Sequence, residues 1–141
     1  ALEDAQCDPK SYPGDIGLYA GVNQNNYVND HVHNKYQHPD PADQYQIMIN
    51  NQANFLCTKV AYKLDLKGPA MTVQTACSTS LVAVHEACNA IITGDCDMAI
   101  AGAVSIRQLM KQGYLYQQGL IYSPDATCRP FDDDANGTFE G

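Results

Sequence analysis

The residues best suited to chemistry sit in TVQTACSTSLVAVHEAC, Thr72 to Cys88. An apolar run ends at Cys77, and three small hydroxyl residues, Ser78, Thr79 and Ser80, follow before an apolar helical pattern begins. A helix start exposes unpaired N–H groups and carries partial positive charge. A thiolate there is stabilised, which makes the sulfur a better nucleophile. The same N–H groups can hold the oxyanion that forms when a thiol attacks a carbonyl, and short hydroxyl side chains can cap the first turn without blocking access. Cys77 is therefore the candidate nucleophile, with acyl transfer as its chemistry. The competing reading is a small buried thiol serving as core filler.

Other reactive types form weaker groupings. His85 lies eight residues beyond Cys77, about 12 Å along a helix axis, too far for a hydrogen bond, so a packing role is expected. His31, His33 and His38 fall in a polar stretch without accompanying ligands at a familiar metal spacing, and read as loop histidines. Asp132, Asp133 and Asp134 precede Asn136-Gly137 and read as a solvated acidic turn. No phosphate loop, G-x-S-x-G elbow or dinucleotide fingerprint is present. The six cysteines show no C-x-x-C pair or zinc spacing, so free thiols, mostly inert and buried, are expected.

The elements that must position Cys77 follow from periodicity. Ile16 to Val22, Ala70 to Thr75 and Met98 to Ile106 read as buried strands. The apolar spacing of Ile49, Ala53, Leu56, Val60 and Leu64 predicts one helix over 46–64. A second helix spans Ser78 to Thr93, with Leu81, Val84, Ala87, Cys88 and Ile91 on one stripe, flanked by Val82 and Ala83, and with Gly94 as C-terminal cap. Residues 23–45 read as a polar excursion, and a short helical piece is expected around Arg107 to Tyr114. Strand, helix, strand, helix, strand is an α/β layout with a mostly parallel sheet.

The 141 residues suit one domain or part of one. ALEDA reads as the middle of a helix and GTFEG is equally abrupt, so a fragment cut at both ends, 1–141 of a larger domain, is expected. A net charge of −8 argues against nucleic acid as a partner. No window is long enough for a membrane span, and a cytoplasmic protein is expected. Lys59, Lys63 and Lys67 could form a small basic strip, or a solvated helix face.

GPAMTVQTACSTSLVAVHEACNAIITGDCDMAIAGAVSI resembles the active-site segment of β-ketoacyl synthase domains in modular polyketide synthases. ALEDAQCDP, IGLYAGV, NFLCTKVAYKLDLKGP and GYLYQQGLIYSPDATCRPFDDDANGT resemble its flanking stretches, so the likeness covers essentially the whole chain. The resemblance implies a thiolase-like fold, layered α/β/α/β/α, with this chain as most of the first half. It implies that Cys77 accepts an acyl chain from the phosphopantetheine arm of an acyl carrier protein, with its own backbone N–H as one oxyanion donor. A malonyl-type extender then loses CO2 and condenses with the thioester, in polyketide or fatty acid elongation. It implies no bound cofactor or metal, a homodimer paired through the strand Ala70 to Thr75, and further polyketide synthase domains in the full-length chain. The family's two decarboxylation histidines and supporting lysine belong to segments resembling HGTGT and NIGH, which this sequence lacks. The fragment alone is thus expected to be inactive. Ala126-Thr127 stands where the family commonly has Gly-His. Alternatives are a non-elongating, acyl-holding relative, a scaffold, or another thiolase-fold acyltransferase such as a thiolase or chalcone-synthase relative.

Overall fold

The computed structural model describes residues 1–23, 27, 31–32, 40–106 and 113–139. The chain forms two compact units, Ala1–Gln108 and Leu109–Gly141.

The first unit is built on three parallel strands: β1 (Ile16–Val22), β2 (Ala70–Thr72) and β3 (Met98–Val104), in the order β2-β1-β3. β1 pairs with β3 over its full length, from Ile16 opposite Met98 to Val22 opposite Val104. Side chains alternate faces along a strand, and β1 uses both. Ile16 and Leu18 pack with Cys57, Ala61 and Leu66 on one face. Tyr19 packs with Val73, Ala83, Ala87 and Ala90 on the other. Full burial of a residue such as Ile16 or Leu18 contributes about 2–3 kcal/mol. The helices occupying these faces are α2 (Leu56–Leu64) and α3 (Thr79–Thr93). Three α/β/α layers result, in the α/β class read from the sequence.

The helix expected over 46–64 is instead two. α1 (Pro41–Asn51) starts earlier, with Asp40 as N-cap accepting from the Asp43 N–H at 2.8 Å and Pro41 at the first turn. Gln52 is extended, a 3-10 turn over Ala53–Phe55 follows, and α2 then begins. α1 buries none of its residues. β2 and β3 are each shorter than the expected strands, ending at Thr72 and Val104. β3 is not covered on both faces: Ala101, Ala103 and Val104 are exposed.

α3 ends as expected. Gly94 takes φ +80° and its N–H returns to the Ala90 and Ile91 carbonyls. The buried face differs from the expected stripe. Thr79, Ala83, Ala87 and Ala90 are buried, whereas Leu81, Val84, Cys88 and Ile91 are exposed. Small residues let the helix approach the sheet closely, and the bulkier apolar residues face away.

In the second unit, Tyr122 bridges to Thr138, and Gly137 fits where a Cβ would meet the Ser123 nitrogen at 2.6 Å. The fully buried Ser123 hydroxyl donates to the Asp125 carboxylate and lies 2.9 Å from Asn136 Oδ1. Arg129 donates to Asp125 at 2.7 Å. The Ser123 hydrogen bond, followed by that of Asn136 and the Arg129 charge, lowers the Asp125 pKa to about 2. Asp132 accepts from the Asp134 N–H at 2.8 Å within an exposed turn, in keeping with the acidic-turn reading. Ala126 takes φ +53°, a region glycine enters without steric cost. The helical piece expected at Arg107 to Tyr114 falls largely outside the described residues, as do His33 and His38.

Candidate active site

Cys77 lies in a 3-10 turn over Ala76–Ser78 that leads directly into α3. This places it one residue before the N-cap, Ser78, rather than on the helix itself. Its side chain is exposed, so it is not core filler. The preceding residue, Ala76, has φ +53°. A side-chain-bearing residue in the left-handed region costs roughly 1–2 kcal/mol, so neighbouring contacts must hold it. Three hydroxyl contacts do so. Ser78 Oγ donates to the Thr75 carbonyl at 2.8 Å. Thr79 Oγ1 donates to the Ala76 carbonyl at 2.7 Å and accepts from the Thr75 N–H at 3.0 Å. The hydroxyls thus brace the turn before the cysteine, whereas the sequence suggested caps on the helix; Ser78 makes no side-chain capping bond. The turn's backbone bonds run from the Ser78 N–H to the Thr75 carbonyl and from the Thr79 N–H to the Ala76 carbonyl. Among the described residues the Cys77 N–H has no acceptor.

Cys77 lines a cavity of about 490 Å³, within the range usual for small-molecule sites. The cavity lies at the carboxyl ends of the strands, where ligands of open α/β sheets gather. Gly21, Val22 and Asn23 contribute from β1 and its end, Val104 and Ser105 from β3 and its end, and Gln74 from the turn after β2. The rim is fixed by side-chain bonds. Gln74 Nε2 donates to the Val22 carbonyl at 2.7 Å, and Asn23 Nδ2 donates to Ser105 Oγ at 3.2 Å. Below it, a Cβ at Gly21 would overlap Thr79 Cγ2 and the Val73 carbonyl oxygen, so α3 and the turn seat directly on β1. The left-handed residue at Ala76 carried no sequence signal, because no Gly or Asn marks it.

Among the described residues of the first unit, no other cysteine and no histidine lines the Cys77 cavity. His85 is exposed rather than packed, and its ring pairs with the Asn89 amide at 3.0 Å. Cys57 and Cys96 are buried, as inert thiols should be, but Cys88 and Cys128 are exposed, against expectation. Burial pushes the Cys96 thiol up, with the Asp95, Asp97 and Asp15 charges adding to it. The Cys57 thiol reaches the Met71 carbonyl at 3.0 Å, tying α2 to β2. The basic strip is broken up. Lys67 lies beyond α2 and pairs with Asp65, whose pKa it lowers, chiefly through their hydrogen bond. Lys59 donates to the Ile49 carbonyl at 2.9 Å and sits over the Phe55 ring. No group of three or more metal-ligating side chains occurs among the described residues. No helix among them is long and apolar enough to cross a membrane.

A family model described as "Beta-ketoacyl synthase, N-terminal domain" matches residues 1–141. The chain belongs to the β-ketoacyl synthase family. This ketosynthase segment is 41% identical over its full length to a phenolphthiocerol/phthiocerol polyketide synthase of Mycobacterium tuberculosis, of which it covers 10%. It is 36% identical to the erythronolide synthase EryA3 of Saccharopolyspora erythraea, over 96% of this chain and 4% of that protein. Among solved structures it superimposes on ketosynthase twelve of the bacillaene polyketide synthase from Bacillus amyloliquefaciens. The TM-score there is 0.80 at 31% identity, over 97% of this chain and 23% of that one. The ketosynthase segment thus spans about a tenth or less of these curated relatives. Its α/β/α layers are part of the thiolase-like fold.

Proposed function

We propose that this chain carries the acyl-accepting half of a condensing centre, with Cys77 as the nucleophile of a β-ketoacyl synthase acting in polyketide elongation. In the first step the Cys77 thiolate attacks the thioester carbonyl of an acyl group on the phosphopantetheine of an acyl carrier protein. The tetrahedral oxyanion takes the Cys77 N–H as one donor. The C–S bond to pantetheine breaks, the acyl group stays on Cys77, and the departing pantetheine thiolate takes a proton from water, matching the one Cys77 released to water on ionising. In the second step a malonyl-type extender on a carrier loses CO2, and its enolate carbon attacks the Cys77 thioester. A C–C bond forms, the Cys77–acyl bond breaks, and the β-ketoacyl chain leaves on the carrier. The decarboxylating histidines belong to family segments beyond these residues. We place the protein in the cytoplasm, working as a homodimer beside other synthase domains, with β2 at the pairing edge. As an outer strand of the sheet, β2 leaves backbone groups open for such pairing.

The observation that carries this reading is an exposed thiol at the strand-to-helix turn, opening on a cavity, with its own N–H lacking an acceptor among the described residues. The test is incubation of the full-length protein with a butyryl thioester of N-acetylcysteamine, followed by peptide mass spectrometry. Butyrylation at Cys77, absent in Cys77→Ala, is expected; equal labelling of both proteins would end the assignment. Butyrylation with no subsequent elongation by a malonyl-loaded carrier would identify a non-elongating, acyl-holding relative.

A further inference from the structure

We propose that Thr79 is a positioning residue for Cys77, its hydroxyl locking the left-handed turn that presents the thiol and its N–H to the cavity. The inference rests on the reading of Cys77 as acyl acceptor. Thr79 sits two residues beyond the cysteine and is 7% exposed, the one polar side chain of α3 among its four buried residues. Its hydroxyl spans the two residues immediately before Cys77. It takes the Thr75 N–H at 3.0 Å and gives its proton to the Ala76 carbonyl at 2.7 Å. A hydroxyl has one proton to give and lone pairs to accept with, and both capacities are used on one turn. The Ala76 carbonyl is gripped twice, because the Thr79 N–H also donates to it.

Ala76 has no conformational reason of its own to stay at φ +53°. If the turn relaxed toward right-handed geometry, the direction of the next N–H and of the Cys77 side chain would change together. Ser78 also braces the turn, but it is exposed and water can replace its bonds. Water has little access to Thr79. The methyl of Thr79 is fixed as well, pressed against the Cα of Gly21, where no Cβ could fit. Hydroxyl and methyl together leave this side chain one orientation, which registers α3, β1 and the nucleophile turn against one another. Acyl transfer needs the Cys77 N–H aimed at the developing oxyanion, whereas simple alkylation needs only an accessible sulfur. The two reactions therefore separate positioning from exposure.

The experiment compares wild type, Thr79→Val and Thr79→Ser in the full-length protein. Each is scored for butyryl transfer to Cys77 from the N-acetylcysteamine thioester and for Cys77 alkylation by iodoacetamide. Thr79→Val keeps the shape and loses both hydrogen bonds; its acyl transfer should fall on the order of 10- to 100-fold while alkylation changes less than about threefold. Thr79→Ser keeps the hydroxyl and should recover acyl transfer to within about threefold of wild type. In an Ala76→Gly background, where the left-handed turn is unstrained, the Thr79→Val loss should shrink to below about threefold. That double variant also serves as the comparison if Thr79→Val alone is insoluble. Wild-type acyl transfer by Thr79→Val overturns the inference, as does an equal fall in both reactions, failure of serine to rescue, or an undiminished loss in the glycine background. Absence of butyrylation in wild type instead removes the underlying assignment of Cys77.

Discussion

Gly21→Ala is the sharpest test of how the site is held. The added methyl would overlap Thr79 Cγ2 and the Val73 carbonyl oxygen. Neither can easily withdraw. The Val73 backbone is pinned by its N–H to the Ala20 carbonyl at 2.9 Å, and rotating Thr79 would break its bonds to Thr75 and Ala76. Forcing a methyl into such a contact costs about 3 kcal/mol, and the lower chain entropy of unfolded alanine returns about 0.7 kcal/mol. The net is roughly 2 kcal/mol, or about a 30-fold change in an opening equilibrium. Hydrogen exchange by mass spectrometry on the full-length protein, read over peptides covering β1 and α3, should show amides exchanging about 30-fold faster than wild type. Butyryl transfer to Cys77 should fall in parallel. Exchange within about threefold of wild type in those peptides would refute the packing argument, and with it the claim that the turn rests on β1.

Two further outcomes follow from groups outside that contact. The folded-state pKa of Asp125 is depressed, so its bonds to Ser123 and Asn136 stabilise the second unit above the ordinary carboxylate range and weaken as pH falls from about 4 to 2. Exchange protection over residues 113–139 should decline across that window, and Asp125→Asn should abolish the decline; a pH-independent wild type contradicts it. Gly94→Ala meets no neighbouring atom but forces a side chain into φ +80°, so it should cost about 1 kcal/mol. Amides of the last turn of α3 should exchange about fivefold faster, and an unchanged rate would mean that the cap relaxes without strain.

The sequence announced what depends on local pattern. β1 runs from Ile16 to Val22 as read, and Gly94 closes α3 because only a left-handed residue can return its N–H to the Ala90 and Ile91 carbonyls. The junction at Cys77 was legible because the strand pattern and the helix pattern meet there. The break at Gln52 was not, since Asn50, Asn51 and Gln52 interrupt a helix without any Pro or Gly to mark it. The start at Asp40-Pro41 carried a sound N-cap signal that the surrounding polar residues obscured. The buried face of α3 was misread for a deeper reason. Periodicity reveals apolar faces but not which one meets the sheet, and here Tyr19 packs in one cluster with Ala83, Ala87 and Ala90, while Gly21 leaves room for Thr79, so the leucine face is left outside. The strain at Ala76 lay beyond sequence reasoning, because it is imposed by Thr79 and not chosen by Ala76.

Because all three strands point the same way, their leading ends gather at one pole of the sheet and their trailing ends at the other. The leading end is stitched by the Asp15 N–H to the Asp97 carboxylate at 2.7 Å, a bond at the far end of β1 and β3 from the residues around the thiol. The trailing end carries Asn23, Gln74 and Ser105, exposed side chains that lie outside both hydrophobic clusters. Evolution can therefore retailor what the chamber admits and retune the durability of the scaffold as two separate problems, solved at opposite poles of one sheet.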